Sequence, residues 1–529
     1  MKLIRSFLIV LLLVNSQVSL VRSEDSSPFD EALKNGEIAN EGLRRCQAFV
    51  EGWKQHADPE TGLIPRNLET RFWNARDAAA DNYPFMVLTT WFTDKAQFEG
   101  RMKDILNTEI RLTSSLDRLP DTYDFTTRKL VNNPMAEIMF GSSEYVKDGL
   151  LPLTEWLGQS PWYDRMIGIV DDMWKHAPFE TPLGKIVSED IEVNGEMLQV
   201  LSRLYWMAGD DKYLEWATRL GDYYLLGNQH PTRDLEELRL RDHGCEVVSG
   251  LCELYATLHF VNSEKKLTYQ PHIHEMLDRI LEVGRNEHGL LYDVINPVEG
   301  TIIKQRLADT WGYNLNGFYT VYLIDGTERY REATLKALSN LHHYRNHKWE
   351  GNSHDGYADS IESALNLYQR ERVEGVPDWL DSEIRVMWDM QQPDGIIGGW
   401  HGDGNFARTT IMYCLWKSQG VSAHPWREDL KLGAAYEDGV LLLSLKAEEN
   451  WSGKLHFDSA RHQTSMKLPL DWPRINQFPE WYSVDAETDY VIRDLSKKDD
   501  SSVSGTSLLR GLEISVQAGE VKKIRFQAL

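Results

Sequence analysis

Four connections in this chain share one short signature, a glycine followed by aliphatic residues: Gly62-Leu63-Ile64, Gly184-Lys185-Ile186, Gly289-Leu290-Leu291 and Gly395-Ile396-Ile397. The glycines lie 122, 105 and 106 residues apart, close to a constant step. A second marker recurs between them: Gly209-Asp210-Asp211-Lys212-Tyr213 returns as Asp325-Gly326-Thr327-Glu328-Arg329-Tyr330, and Asn262-Ser263-Glu264-Lys265-Lys266 is a degraded copy midway. Units repeated at this length are supersecondary elements that need neighbours to bury their apolar faces. The step fits two helical hairpins, so the repeat predicts a ring of hairpins with a polar cleft at one end.

Helical periodicity supports this. Met197, Val200, Leu201, Leu204 and Tyr205 lie on one face, and Val247, Leu251, Leu254, Tyr255 and Leu258 repeat the pattern. Both stretches are also apolar off the stripe, as helices buried on several sides must be, whereas Tyr213–Leu226 alternates apolar and charged positions like an outer helix. Inner helices are expected to begin near Asp77, Glu192, His243, Trp311, Asp355 and Asn405, with another after Asn133. The predicted fold is mainly α, an (α/α)6 or (α/α)7 toroid over residues 24–425.

After Pro425 the helical pattern stops. Gly439–Leu445, Lys454–Phe457, Leu512–Val516 and Lys523–Phe526 read as short strands, with Ser496–Thr506 as a loop between them. Residues 426–529 are therefore expected to form a small C-terminal β-sandwich. The aromatic cluster Trp472, Phe478, Trp481 and Tyr482 suits packing of that unit against the end of the toroid.

At the other end, Lys2 and Arg5 flank an apolar run, Phe7–Val14, too short to span a bilayer, and Val21-Arg22-Ser23 resembles a cleavage site. Residues 1–23 read as a signal peptide and the product as periplasmic or secreted, with no integral membrane segment after cleavage. Net charge is −24 over the 529 residues, and loss of Lys2, Arg5 and Arg22 makes it still more negative. That balance disfavours nucleic acid and anionic membrane as partners. Four cysteines are too few for a disulfide scaffold, and Cys245 and Cys252, two helical turns apart, cannot bridge. Buried thiols are expected.

The hairpin repeat, the Gly-Leu-Leu connections, the export signal and the trailing β region together resemble the (α/α) toroid, or six-hairpin, carbohydrate-active enzymes, which include glycoside hydrolases and polysaccharide lyases. The resemblance implies an oligo- or polysaccharide substrate and a site at the mouth of the toroid; no cofactor or metal is expected.

Polar groups heading the inner helices converge at such a mouth, and the free N–H groups there favour anions. Around the first helix, Trp73, Arg76, Asp77 and Asp81 cluster; Asp77 reads as an N-cap, and Asp81 serves equally as cap or site residue. Glu192 and Glu196 share a face of the next cluster. His243 follows Arg239, Arg241 and Asp242, with Glu246 and Glu253 on the inward stripe beyond; imidazole there suits acid or base chemistry. Trp311, Tyr313 and Asn314 bring an indole, a phenol and an amide together, although core packing is the commoner fate of tryptophan. His354, Asp355, Asp359 and Glu362 form the sharpest cluster, with Asp355 the expected N-cap. Trp400 and Arg408 flank a Gly-rich wall.

Two mechanisms fit. An inverting glycosidase sets two carboxyl groups roughly 6.5–9.5 Å apart, and Asp359 with Glu192 or Asp81 are the candidates. A lyase or epimerase abstracts a proton beside a uronate and offsets enolate charge, which assigns His243, Tyr313, Asn314 and Arg408. Arginines at the helix starts point to a uronate-containing glycan. A non-catalytic glycan binder is the third reading; six acid-rich helix starts favour catalysis.

Overall fold

The computed structural model describes residues 27–398, 404–497 and 500–529, apart from the side chain of His243. The expected signal segment lies outside the described residues. Buried helices alternate with amphipathic ones. The inner helices run Ala75–Asn82 continuing as Tyr83–Thr93, Met135–Glu144 continuing to Leu157, Ile191–Ala208, Glu246–Val261, Trp311–Asp325, His354–Arg370 and Gly404–Ser418. The outer ones are Pro28–His56, Lys103–Thr113, Pro161–Lys175, Asp211–Leu225, Ser263–Val283, Glu328–Ser339 and Val376–Trp388. Each inner helix packs on the next, and Gly404–Ser418 packs back on the first. Among the described residues, no helix is long and apolar enough to cross a membrane.

The glycine repeat has a backbone cause. Gly62, Gly184, Gly289 and Gly395 all adopt positive φ, between 73° and 108°, in connections that lead from an outer helix to the next inner one. A Cβ on Gly395 would stand 2.0 Å from the Ala48 carbonyl oxygen. The left-handed turn lets the following aliphatics point inward, and Leu63, Ile64, Ile186, Leu290, Leu291 and Ile396 are all buried. Gly209 and Gly326 close the opposite turns as left-handed C-caps.

The first two inner helices open or continue in π-helical form, at Ala75–Asn82 and Tyr145–Leu150, and these segments pack on each other. Such wide turns re-aim side chains, and they recur at functional sites.

The C-terminal region holds two antiparallel sheets. One has five strands in the order Lys431–Glu437, Val440–Lys446, Val521–Ala528, Asp489–Asp494 and Ser501–Ser504; the other joins Ser422–His424, Trp451–His456 and Leu512–Val516. Leu443, Leu445, Trp451, Leu455, Val516 and Phe526 share one apolar cluster between them. Ser422–His424 places strand structure ahead of Pro425. The stretch Ser496–Thr506 is not simply a loop: Ser501–Ser504 pairs at a sheet edge and Gly505–Leu509 forms a short helix. Its serines hide the strand because an edge strand buries little. His342 and His343 sit in a 3-10 turn after an outer helix.

Residues 461–482 leave the sheets and enter the helical body. Met466, Leu468, Trp472, Phe478 and Trp481 join its core, while Ile475 packs against Cys245 and Tyr313 at the helix starts. The first outer helix also lies on the five-stranded sheet, with Gly36 against Gly433 so closely that a Cβ on Gly433 would be 2.1 Å from the Gly36 nitrogen. Gly433→Ala is therefore expected to destabilise the protein by about 1–3 kcal/mol through overpacking, read as a lower midpoint in denaturant unfolding together with earlier proteolysis between helices and sheets.

Candidate active site

A cavity of about 360 Å³ opens where the inner helices begin. Local capping sets the helix starts: the Asn74 side chain accepts from the Ala78 N–H, Asp190 from Glu192 and Ser353 from Gly356. Consequently Asp77 and Asp355, both expected to be N-caps, are released from that task. Asp77 instead pairs with Arg66 at 2.9 Å and accepts from Asn74, Asp355 accepts from Asn405 Nδ2, and both face the cavity.

One wall is an ion cluster. Arg408 reaches Asp359 at 2.6 Å and Glu362 at 2.9 Å, and the Tyr313 hydroxyl lies 2.9 Å from Asp359 and 3.1 Å from Glu362. Glu362 also accepts the Asn476 backbone N–H at 2.7 Å. Burial pushes the Asp359 carboxyl well above the ordinary aspartate range, Asp355 adds to the rise, and Arg408 opposes it. Burial raises Glu362 as well, against Arg408 and the Asn476 N–H. Burial alone would lower Arg408, yet Glu362, Tyr313 and Asp359 hold it firmly charged.

The opposite wall centres on Lys147, whose Nζ donates to Asp148 and Glu246, each at 2.7 Å. Burial opposes the charge, but Asp148, Glu246 and Glu196 keep this lysine protonated. Asn476 Nδ2 donates to Asp148 at 2.7 Å. Ligand atoms of Glu144, Asp148 and Glu196 lie within 4.8 Å of one another, a spacing that would hold a divalent cation; the Lys147 ammonium already supplies a positive charge there. Behind a third wall, Arg241 pairs with Asp309 at 3.3 Å and with Glu350. Burial lifts Asp309 to about 6, with Arg241 opposing and Asp355 adding to the rise.

Of the residues singled out in the sequence, Asp359, Glu192, Asp81, Arg76, Tyr313 and Arg408 line the cavity together. Four others do not. Trp73 is buried edge-on to Tyr145, and Trp311 is buried with its indole N–H on Ser360 at 3.0 Å. Asn314 is spent on the Leu240 carbonyl at 2.7 Å. His354 is buried at the start of its helix, away from the cavity lining. The Trp tryptophans had apolar rings to bury, and the core claimed them. Trp400 and the His243 side chain lie outside the described residues. Sequence reasoning missed Glu144, Lys147, Asp148, Glu350 and Asn476. The first three follow i, i+3, i+4 spacing on an inner helix whose start was indistinct; Asn476 comes from the C-terminal region, and no sequence signal links it to the site. Glu253 belongs elsewhere, paired with Arg203 at 2.6 Å deep in the helical body.

No family model matches the chain, and no curated protein matches it. Among solved structures it is similar to the alpha-1,6-mannanase GH76A from Salegentibacter sp. HEL1_6, at 12% identity and a TM-score of 0.40 over 58% of this chain and 94% of that one. It is also similar to cellobiose 2-epimerase from Bacillus thermoamylovorans B4167, at 12% identity and 0.36 over 50% and 85% of the chains. A third is described as a possible member of GH105 family from Salmonella enterica, at 13% identity and 0.40 over 59% and 93%.

Arg408 compensates two buried carboxylates. Arg408→Met is expected to destabilise the protein by about 3–5 kcal/mol at pH 8 and by clearly less at pH 5, because protonation of the two raised acids grows as pH falls. The sign follows from linkage: a raised folded-state value makes the Asp359 contribution fully present below its unfolded value, and lost as pH rises through the folded one. Urea unfolding at both pH values checks this, and an equal loss at each would contradict it.

Proposed function

We propose that the protein is an exported, glycan-degrading glycoside hydrolase, its helices a seven-hairpin (α/α) toroid capped by a β-sandwich. The single observation that carries the reading is Asp359: a carboxyl group whose hold on its proton is raised by burial, on the wall of a cavity of about 360 Å³ lined by further carboxylates. A carboxyl with raised proton affinity set among other carboxyl groups suits the acid and base division that glycoside cleavage needs. Asp359 would donate to the departing glycosidic oxygen. Asp81 or Glu192, each on another inner helix, would activate water. The cavity volume falls in the ~300–1,000 Å³ range of small-ligand clefts, which suits the end of a glycan chain.

The elimination alternative draws less support. Arg408 and Tyr313 are engaged by Asp359 and Glu362, and Asn314 is turned to a backbone carbonyl, so these three of the groups assigned to that chemistry are already used.

The test is incubation of the purified protein with a panel of glycans, following reducing ends and the ultraviolet absorbance of unsaturated uronates. New reducing ends without that absorbance are expected. Asp359→Asn should lower kcat by about 10²–10⁴-fold on natural linkages and far less on aryl glycosides whose leaving group departs without a proton. An equal loss on both substrate types would remove Asp359 from the acid role, and rising absorbance would establish elimination instead.

A further inference from the structure

Two carboxyl groups of the cavity wall share one hydroxyl. The Tyr313 oxygen stands 2.9 Å from Asp359 Oδ1 and 3.1 Å from Glu362 Oε2, and the Arg408 guanidinium donates to it at 3.2 Å. A phenol has a single proton to give. It therefore serves one of the two acids at a time, while the Arg408 bond occupies an acceptor site on the same oxygen. The Tyr313 ring is buried and packs against Cys245 and Ile475, which leaves rotation about its C–O bond as the motion that redirects the proton. Burial lifts the phenol well above its ordinary value; Arg408 opposes this, and Asp359 and Glu362 add to the rise. Tyr313 thus keeps its proton whichever acid it serves.

The two acids differ in what else they receive. Glu362 pairs with Arg408 Nε at 2.9 Å and accepts the Asn476 N–H at 2.7 Å. Asp359 accepts from Arg408 at 2.6 Å on Oδ1, the atom that Tyr313 also reaches, so its Oδ2 takes part in neither contact. Among the described residues Glu362 therefore has two partners besides Tyr313, and Asp359 has one. A hydroxyl prefers the ionised acceptor of such a pair, and its bond matters more to the carboxylate with fewer other donors.

We propose that Tyr313 is a positioning residue for Asp359: its hydroxyl donates to Glu362 while Asp359 carries a proton, and turns to Asp359 Oδ1 once that proton has passed to the glycosidic oxygen. The inference rests on the reading of Asp359 as the acid of a glycosidase and adds what regulates its proton affinity. The Asp359 O–H bond breaks as the O–H bond to the glycosidic oxygen forms, and the electron pair of the cleaved C–O bond stays on that oxygen. Tyr313 changes acceptor and gives up no proton. Its contribution is the difference between its bonds to the two carboxylates, so its effect on rate is severalfold.

The field at Asp359 also comes from Asp355 and Glu362 on its own helix, Arg408 on the last inner helix, Asp309 just ahead of Trp311–Asp325, and Arg241 in the third wall. Tyr313→Phe keeps all of these and removes the hydroxyl. The experiment follows the Asp359 titration by NMR of protein labelled at the aspartate carboxyl carbons, the signal being identified by its absence from Asp359→Asn. Without the hydroxyl the Asp359 anion loses a donor, so its midpoint is expected to rise by about 0.5–1 pH unit, and the alkaline limb of kcat/KM to move up with it. In parallel, kcat on natural linkages should fall by about threefold to tenfold, and by less on aryl glycosides whose leaving group needs no proton. If Tyr313→Phe does not fold, the unaltered protein labelled at its phenol carbons carries the test: one tyrosine signal should move with the Asp359 midpoint and stay still in Asp359→Asn.

An unchanged or lowered midpoint, an equal loss of kcat on both substrate types, or the absence of a coupled tyrosine signal would overturn the proposal. The two readings fail separately. Turnover with an unmoved midpoint defeats the role of Tyr313 and leaves the hydrolase standing, whereas a raised midpoint with no turnover of any glycan keeps the coupling and defeats the hydrolase.

Discussion

The site depends on charges buried between the helical body and the segment that enters it. Glu155, on the second inner helix, is buried between Arg461 and Arg474, 3.3 Å from each. Arg474 is fully buried, with a second contact to Asp471 at 2.9 Å. Removing such ions from water is expensive, so the arrangement persists only because each partner is supplied. The backbone that these arginines anchor is then consumed in order. The Arg474 carbonyl accepts from Asn366, the Ile475 carbonyl lies 3.4 Å from the Arg203 guanidinium, and the Asn476 N–H donates to Glu362. One run of chain thus closes the middle of the helical body and furnishes the floor of the cavity. Neither part completes the cavity alone.

The overall acidity of the chain hides how its cations are deployed. Lys147, Arg203, Arg408, Arg461 and Arg474 are nearly all buried, and each meets at least one carboxylate. Their role is compensation. Arginine suits it because the guanidinium serves two acceptors at fixed angles and keeps its charge when desolvated. The number of arginines near helix starts matters less than which of them remain uncommitted once the helices pack.

Much of the helical architecture was legible because it rests on local rules. A glycine at positive φ before an inner helix, aliphatics directly after it, and apolar residues all round the following helix leave marks within a few residues of each other. The converging helix starts were readable for the same reason, and they brought Asp81, Glu192, Tyr313, Asp359 and Arg408 to one cavity. What failed were choices made by packing. Caps went to Asn74 and Ser353 rather than to the neighbouring acids. The rings of Trp73 and Trp311 were worth more in the core than at a rim. Asn476 follows Asp359 by more than a hundred residues, and only the fully packed fold brings them to the same place.

A last step concerns why the proton should reside on Asp359 rather than on Glu362, since both share Arg408 and Tyr313. Glu362 is wholly buried, whereas the Asp359 side chain keeps 15% of its exposure. On burial alone the deeper glutamate would hold the proton more tightly. Hydrogen bonding and neighbouring charge reverse that order. Glu362 receives the Asn476 N–H as a further donor, which favours its anion, while Asp359 has Asp355 beside it, which favours its proton. These influences favour the anion at the deep residue next to the guanidinium and the proton at the one that meets the cavity. In a glycosidase that is the useful order: the donor is exposed to its acceptor, and the ion that sustains the arginine is sealed beneath it.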